Sequence, residues 1–502
     1  MKKIRLFVLL TTIFSLSSCT ITDYLERSFE KYQNNQKSQD ITFTYVTHED
    51  TGQSIDILND AFNSTDESNL SLKLIDNELD YEPTTTNNYE TITKNFSDLK
   101  YFEGLTPSTG IVNGLVIPVD FTDNIAKSIT KNDNYKPMQS VKSYYKNASY
   151  GKLDMNFDVL DWVSLPHKAS YYSSMTEKSQ KIFTGEVPGV SAIISDALNI
   201  IENYVDLTKY DNDKDGHIDC LYIIYNHAID YENAGFWWAF NYYALEAIRK
   251  YDDVLPYNYV FAGYDFLFEN DYTCNTITYI HETGHMFGLE DYYDNDYDNG
   301  IKEGGLGGAD MMDNNVGDHN PFSKLCLGWI DKVILVDLND KQQIDLFITN
   351  YSYFGETIMI CDNYDKASGV FQDYFLISYF NGIGYMGYNQ VSKGFRVYRI
   401  HAGLETKTLE ETNETYETLK YNNSDTKYKL IDAINRYKLS YSRDNIAGLY
   451  NYGQQANNSN LFGVGSGKSR LYYYDAKTTT SDYYFYVTSL GSDGANIRII
   501  RR

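Results

Sequence analysis

Cysteine is scarce, five in 502 residues, and no two of the five are close enough to form a CxxC unit. A zinc ribbon or a thioredoxin-like redox motif is therefore not expected. Cys220 and Cys326 sit in apolar surroundings, "DCLYIIY" and "KLCLGW", which suits buried free thiols better than a disulfide framework. Basic residues are also in short supply. With 43 Lys and Arg against 69 Asp and Glu, the net charge is -26, which argues against a nucleic-acid partner, because a phosphate backbone has to be neutralised by cations. The excess carboxylates suit metal cations instead. No tandem repeat is visible, and the N-terminal apolar run, interrupted by Thr11, Thr12 and Ser15, is too short and too polar for a membrane-spanning helix. Histidine is rarest of all in relation to its use: two of only eight fall within five residues, in "HETGH".

The chain has the length for two or three domains, and 42% hydrophobic with 22% charged residues fits a folded protein. The 49 tyrosines suit sheets exposed to water. "MKKIRLFVLLTTIFSLSSC" carries Lys2, Lys3 and Arg5, then a short apolar run, then Leu16-Ser17-Ser18-Cys19, the layout of a secretory leader. Small residues followed by Cys look like a bacterial lipobox. Residues 1–19 are thus expected to be a lipoprotein-type signal peptide, with Cys19 lipidated and the protein held at the outer cell surface by a membrane anchor. Residues 20–105, rich in Asn, Ser, Thr, Asp and Glu, are expected to be a polar tether or pro-like segment.

At "GIVNGLVIPVDFTD" the pattern changes to an apolar run bounded by turn residues, a buried strand. "VSAIISDALNIIENYVDL" spaces Ile194, Ala197, Leu198, Ile201, Tyr204 and Val205 as one face of an amphipathic helix packed on that sheet. Beyond about residue 340 short strand-like runs such as "YFLISYF", "GFRVYRIH" and "NIRIIRR" alternate with turn residues. The expected fold class is α+β: a catalytic domain over residues 106–340, with mixed sheet and active-site helix, then a β-sandwich-like domain over 341–502.

On a helix, His281 and His285 of "NTITYIHETGHMFGL" lie one turn apart on the same face. Two imidazoles so placed can hold one Zn²⁺, and the intervening Glu282 can act as general base on a water activated by the metal. Gly288 lets the chain turn sharply at the helix end. Asp291 then stands where the extended HExxHxxGxxH pattern has its third ligand, with Asp294 as its competitor. A glycine-rich turn follows, and Met312 is the expected Met-turn residue beneath the metal. In "YDNDKDGHID", Asp211, Asp213, Asp215 and Asp219, with the His217 carbonyl, resemble the start of an EF-hand loop and are expected to hold Ca²⁺. Position twelve is Tyr222 instead of the bidentate Glu, so the loop is not a true EF-hand. Asp294, Asp296 and Asp298 form a looser acidic cluster.

The ordered segments "LVIPVDFTD", "VKSYYKNASYGKLDMNFDVLDWVSLP", "YDNDKDGHIDCLYIIYNH", "FWWAF", "HETGHMFGLEDYYD", "GGADMMDN" and "PFSKLCLGWI" resemble the immune inhibitor A family of secreted bacterial zinc metallopeptidases. They span about residues 111–330. The resemblance implies a metzincin-like zincin fold, hydrolysis of protein or peptide substrates, zinc on His281, His285 and Asp291, a general base at Glu282, and calcium at the acidic loop. One departure stands out: two residues after the turn Met, where metzincins often carry an oxyanion-stabilising tyrosine, this chain has Asn314. Tyr292 and Tyr293 are the substitutes at hand. A catalytically inactive surface adhesin on the same fold is the alternative, against which the intact Glu282 speaks.

Overall fold

The computed structural model describes residues 87–502 except for 100–104, 127–128, 130, 177–187, 230–235, 243–248, 269–275, 294–302, 308, 315–316, 340, 383–391, 409–412, 425–428, 435–449, 452–460 and 474–479. The leader with Cys19, most of the 20–105 segment, Cys274 and the Asp294, Asp296 and Asp298 cluster lie outside the described residues.

The first described strand, β1 (Tyr89–Thr91), pairs far along the chain, as set out below. β2 (Gly110–Asp120) is buried over most of its length because it is an interior strand of a sheet covered on both faces. Helix α1 (Lys131–Ala148) leads to β3 (Leu153–Val159), and α2 (Pro188–Ile201) to β4 (Leu221–Tyr225). β5 (Phe240–Tyr242) and β6 (Tyr259–Gly263) complete the sheet in the order β3-β2-β4-β6-β5, with Val163–Ser164 added beside the end of β2. All neighbours among these five run parallel except β5, the antiparallel edge.

The two-residue period of a strand splits β2 between two cores. Val112 and Val116 join Met138, Val141, Tyr144 and Tyr145 of α1, and Leu115, Ile117 and Val119 join Ile194, Ala197 and Leu198 of α2. Each fully buried Ile or Leu there contributes roughly 1.5–3 kcal/mol. The predicted α2 face holds as far as Ile201, where the helix ends. Val205 is half-buried, whereas Tyr204 is 88% exposed. Once the chain leaves the helical path after Ile201, the 3.6-residue spacing no longer aims side chains at the sheet, and Tyr204 points to water.

Helix α3 (Ile277–Met286) packs on the α1 side, and the short α4 (Pro321–Cys326) follows. The remaining chain is strand-rich: β7 (Lys332–Val336), β8 (Gln343–Thr349), β9 (Ile358–Ile360), β10 (Asp373–Phe380), β11 (Gly394–His401), β12 (Ile431–Ala433), β13 (Ser469–Tyr472), β14 (Thr480–Leu490) and β15 (Gly494–Arg501). One large sheet has the order β1-β7-β9-β10-β11-β12 and a second β8-β15-β14-β13. Residues 89–91 therefore serve as an edge strand of the later sheet, on β7.

β10 and β11 are buried on both faces. Phe375, Ile377 and Val397 meet Phe485, Ile497 and Ile499 of the four-stranded sheet, while Tyr374, Leu376, Tyr398 and Ile400 join the core that also holds α1 and α3. The fold mixes helices with sheets, compatible with the α+β class. Tyrosine is used differently from expectation: among the described residues, ten of the twelve largest fully buried side chains are tyrosines. Most of these hydroxyls find a partner, as in Tyr279 to the Ala262 carbonyl (3.0 Å) and Tyr351 to the His319 carbonyl (2.9 Å), which offsets the cost of burying them; Tyr259 Oη has none. Cys220, Cys326 and Cys361 are buried free thiols.

Candidate metal centre

α3 is buried along almost its whole length, which its apolar members explain: Tyr279, Ile280 and Met286 fill the core beneath it. The helix stops in a glycine-dependent reversal. Gly288, at φ 88°, donates its N–H to the His285 carbonyl (2.8 Å), and Leu289 donates to the Gly284 carbonyl (3.2 Å). That bond pair is the Schellman arrangement, and it requires the left-handed backbone that glycine adopts at no steric cost. The reversal has two chemical consequences. It brings the Leu289 carbonyl onto His285 Nδ1 (2.6 Å), and it returns the chain so that Asp291 faces both imidazoles.

His281 Nε2 lies 3.1 Å from His285 Nε2 and 3.1 Å from Asp291 Oδ1, and His285 Nε2 lies 3.3 Å from the same oxygen. His281 Nδ1 is 2.8 Å from the Met311 carbonyl. A carbonyl can only accept, so each Nδ1 carries the proton and each Nε2 of a neutral ring presents a bare lone pair. Two such lone pairs and a carboxylate oxygen, all aimed at one point, repel one another unless a cation sits between them. The donor set, two imidazole nitrogens and one carboxylate, fits zinc. Proton affinities around the point reflect the same tension. Burial lowers the His285 pKa, but the Asp291 charge and hydrogen bond outweigh it and push it up to about 10. Burial raises that of Asp291, yet His285 and the two imidazole contacts hold it well below the usual carboxylate range.

Glu282, between the two histidines, is 9% exposed. Burial raises its pKa above the ordinary carboxylate value, against the pull of His281 and His285; Asp291 adds to the rise, and the Asn241 backbone N–H opposes it. A carboxylate that holds a proton more readily than usual suits a group that must accept one and give it back.

Met312 is fully buried against α3: a Cβ added at Gly284 would run into Met312 Sδ and come within 3.1 Å of its Cε. The glycine between the two histidines thus lets the methionine approach the helix closely. The turn carrying it is closed by Asp310, whose carboxylate accepts from Met312 N (2.8 Å) and Asn320 N (2.7 Å). Burial raises the Asp310 pKa to about 8. Tyr292 is fully buried with its hydroxyl on Ser323 (2.8 Å), so it is engaged away from the site, while the Tyr293 ring stacks 6.5 Å from His281.

The acidic loop draws Asp211, Asp213, Asp215 and Asp219 together, with one carboxylate oxygen of each within 4.8 Å of the others. Lys214 at φ 67° and Gly216 at φ 91° give the loop its tight path. Asp219 is fully buried and its Oδ1 has no hydrogen-bond partner. Burial raises its pKa to about 8, although Asn212 N–H donates to its Oδ2. The His217 ring pairs with Asp215 Oδ2 (2.9 Å). Tyr222 lies in β4 with its hydroxyl on Thr283 of α3 (2.8 Å), so it takes no part in the loop.

The backbone carbonyls of Met311 and Leu289, which orient the two histidines, and the Asn241 N–H that acts on Glu282 were not foreseen from the sequence. Backbone groups leave no residue-type signal, and a single Asn in a short strand is common.

Residues 119–306 match the family model described as the immune inhibitor A peptidase M6 catalytic domain. The match bears out the resemblance carried by the sequence segments and supports a metallopeptidase, a hydrolase acting on protein or peptide substrates. No curated protein matches the chain.

Proposed function

We propose that the protein is an exported zinc endopeptidase in which His281, His285 and Asp291 hold the metal and Glu282 is the general base. The observation that carries this reading is the convergence of two Nε2 atoms and one carboxylate oxygen, with both Nδ1 atoms facing carbonyls. When bound, zinc supplies Lewis acidity: it makes a water molecule more acidic and polarises the carbonyl to be attacked. Glu282 takes the proton from the attacking water, holds it in its buried setting, and passes it to the leaving nitrogen. His281 and His285 keep their orientation through the Met311 and Leu289 carbonyls, which fixes the tautomer each ring presents. Met312 supports the helix from below at Gly284.

The catalytic part is read as metzincin-like, and the two later sheets as a β-sandwich with the Phe375, Ile377 and Ile497 layer between them. The acidic loop is read as a structural calcium site, favoured by the unpartnered, buried Asp219 Oδ1. Cys19 is read as a lipid anchor that keeps the enzyme at the cell surface.

The test is Glu282→Gln, which keeps size and polarity and removes the base. The variant should bind zinc as the wild type does and lose several orders of magnitude in casein hydrolysis. Turnover near the wild-type value would reject this mechanism. A wild-type protein that binds zinc and cleaves nothing would favour the inactive adhesin.

A further inference from the structure

Between the acidic loop and the end of α3 the interior is polar. At its centre is Asn258, fully buried one residue ahead of β6. Its main chain is fixed on both sides, the N–H to the Ile218 carbonyl (3.3 Å) and the carbonyl to Leu221 N–H (3.2 Å). Its side-chain Nδ2 donates to the Met286 carbonyl (2.8 Å) and to Thr106 Oγ1 (3.0 Å), while Oδ1 accepts from Asn241 Nδ2 (2.8 Å).

Each of those partners leads elsewhere. Met286 is the last residue of α3, and its carbonyl, which has no partner within the helix, accepts from Thr106 N–H (3.2 Å) as well as from Asn258. The Thr106 hydroxyl donates to the Asp219 carbonyl in the acidic loop. Asn241 is tied a second time, by Nδ2 to the Tyr259 carbonyl (2.9 Å), and its strand, β5, packs against α3. One amide therefore joins the end of the helix bearing His281, Glu282 and His285, the strand packed against that helix, and the backbone of the acidic loop. Only an amide can do this, because the three contacts need two donors and one acceptor on the same planar group.

We propose that Asn258 is a positioning residue for peptide hydrolysis, holding the C-terminal end of α3 and strand β5 in register around Glu282, with Thr106 as its link to the acidic loop. The proposal rests on the zinc-peptidase reading. A constellation of this kind has to be held within about 0.5 Å of its productive geometry, and groups outside the ligand set do that work.

Asn258→Asp is nearly isosteric, keeps the acceptor for Asn241 and removes both donors. At saturating zinc and well below its melting temperature, it should lower kcat about 10- to 100-fold with KM little changed. Zinc affinity, measured by competition with a chromophoric chelator, should weaken. Thr106→Val should also lower kcat, and Thr106→Ser, which restores the hydroxyl, should recover it; this pair keeps the test valid if Asn258→Asp does not fold. Thr357→Val, which removes a buried hydroxyl from the distant β9–β10 pairing, should lower the melting temperature and leave kcat unchanged. Wild-type kcat in Asn258→Asp, equal kcat in the Thr106 pair, or a loss of kcat in Thr357→Val as large as theirs would each overturn the proposal. Absence of zinc-dependent hydrolysis in the wild type would instead overturn the reading beneath it.

Discussion

Replacing Asp219 by Asn should make the metal-free protein more stable at pH 8, even though it removes a ligand from the proposed calcium loop. Asp219 is buried beside Asp213 and Asp215, and burial raises its pKa to about 8, from an ordinary value of 3.8. The folded state therefore binds this proton more tightly than the unfolded chain does. Below pH 3.8 the group is protonated in both states and costs nothing; as pH rises from there through 8, the unfolded chain releases the proton first and the fold loses stability. The accumulated loss is on the order of a few kcal/mol. Asparagine is neutral throughout, keeps an oxygen for the Asn212 N–H, and escapes the loss. Calcium acts in the opposite direction, since it binds the charged form and displaces the proton. A hundredfold excess over its dissociation constant is worth about 2.7 kcal/mol. The assay is thermal unfolding from pH 5 to 8, with calcium or with a calcium-selective chelator. Without calcium the wild-type melting temperature should fall as pH rises, calcium should raise it more at pH 8 than at pH 5, and Asp219→Asn should show neither the fall nor the calcium response. A variant less stable than wild type at pH 8 without calcium, or a wild type indifferent to calcium, would refute the reasoning.

Asp291→Ala should lower zinc occupancy far more than Asp294→Ala, because Asp291 Oδ1 lies within 3.3 Å of both Nε2 atoms; metal analysis giving the reverse order moves the ligand to Asp294. Gly284→Ala gains about 1 kcal/mol of helix propensity but drives a methyl into Met312, an overpacking worth typically 1–3 kcal/mol, so zinc affinity and kcat should both fall, and Met312→Ala in the same chain should restore part of the loss. Lys324→Ala strands the buried Asp318, 2.7 Å from the ammonium, and should cost about 3–5 kcal/mol by denaturant unfolding, whereas Lys324→Met with Asp318→Asn together should cost much less.

The residues of the candidate site were legible because their chemistry is written in residue types at fixed spacing. His281 and His285 four apart, Gly288 three beyond, and Asp291 three beyond that describe a helix, its glycine reversal and the returning ligand, and the Schellman bonds at Gly288 and Leu289 are the physical form of that spacing. Strands were legible for a similar reason, since runs such as "DYFLISYF" need a sheet covered on both faces. What pattern could not supply is where a periodic stretch stops. The α2 spacing continues through Tyr204, but the helix ends at Ile201, and nothing in the side chains marks the break. Tyrosine misled for a different cause: its ring is apolar and its hydroxyl small, so whether it is buried depends on a carbonyl placed by tertiary structure, which composition does not encode.

The same limit explains why the join between catalytic and strand-rich halves does not read as a linker. Lys324 in α4 is fully buried, its ammonium paired with Asp318, bonded to Tyr150 Oη (3.0 Å) and lying over the Tyr150 and Tyr351 rings at 4.3 and 4.8 Å. Tyr150 hydroxyl in turn donates to the Tyr351 carbonyl (2.8 Å), and Tyr351 hydroxyl to the His319 carbonyl (2.9 Å). His319 lies against the Gly284 turn of α3, so the chain of contacts runs from the later sheets to the floor of the metal centre. A buried charge pair adds little net stability against apolar packing, yet removing one partner is costly, and such a pair therefore tolerates only one arrangement of the segments that carry it. Tyr351 comes from beyond residue 340, and Tyr150 and Lys324 from before it. The strand-rich half is consequently part of the frame that holds α3, and a catalytic fragment cut at residue 340 would leave Lys324 without one of its two aromatic faces and Tyr150 without its acceptor.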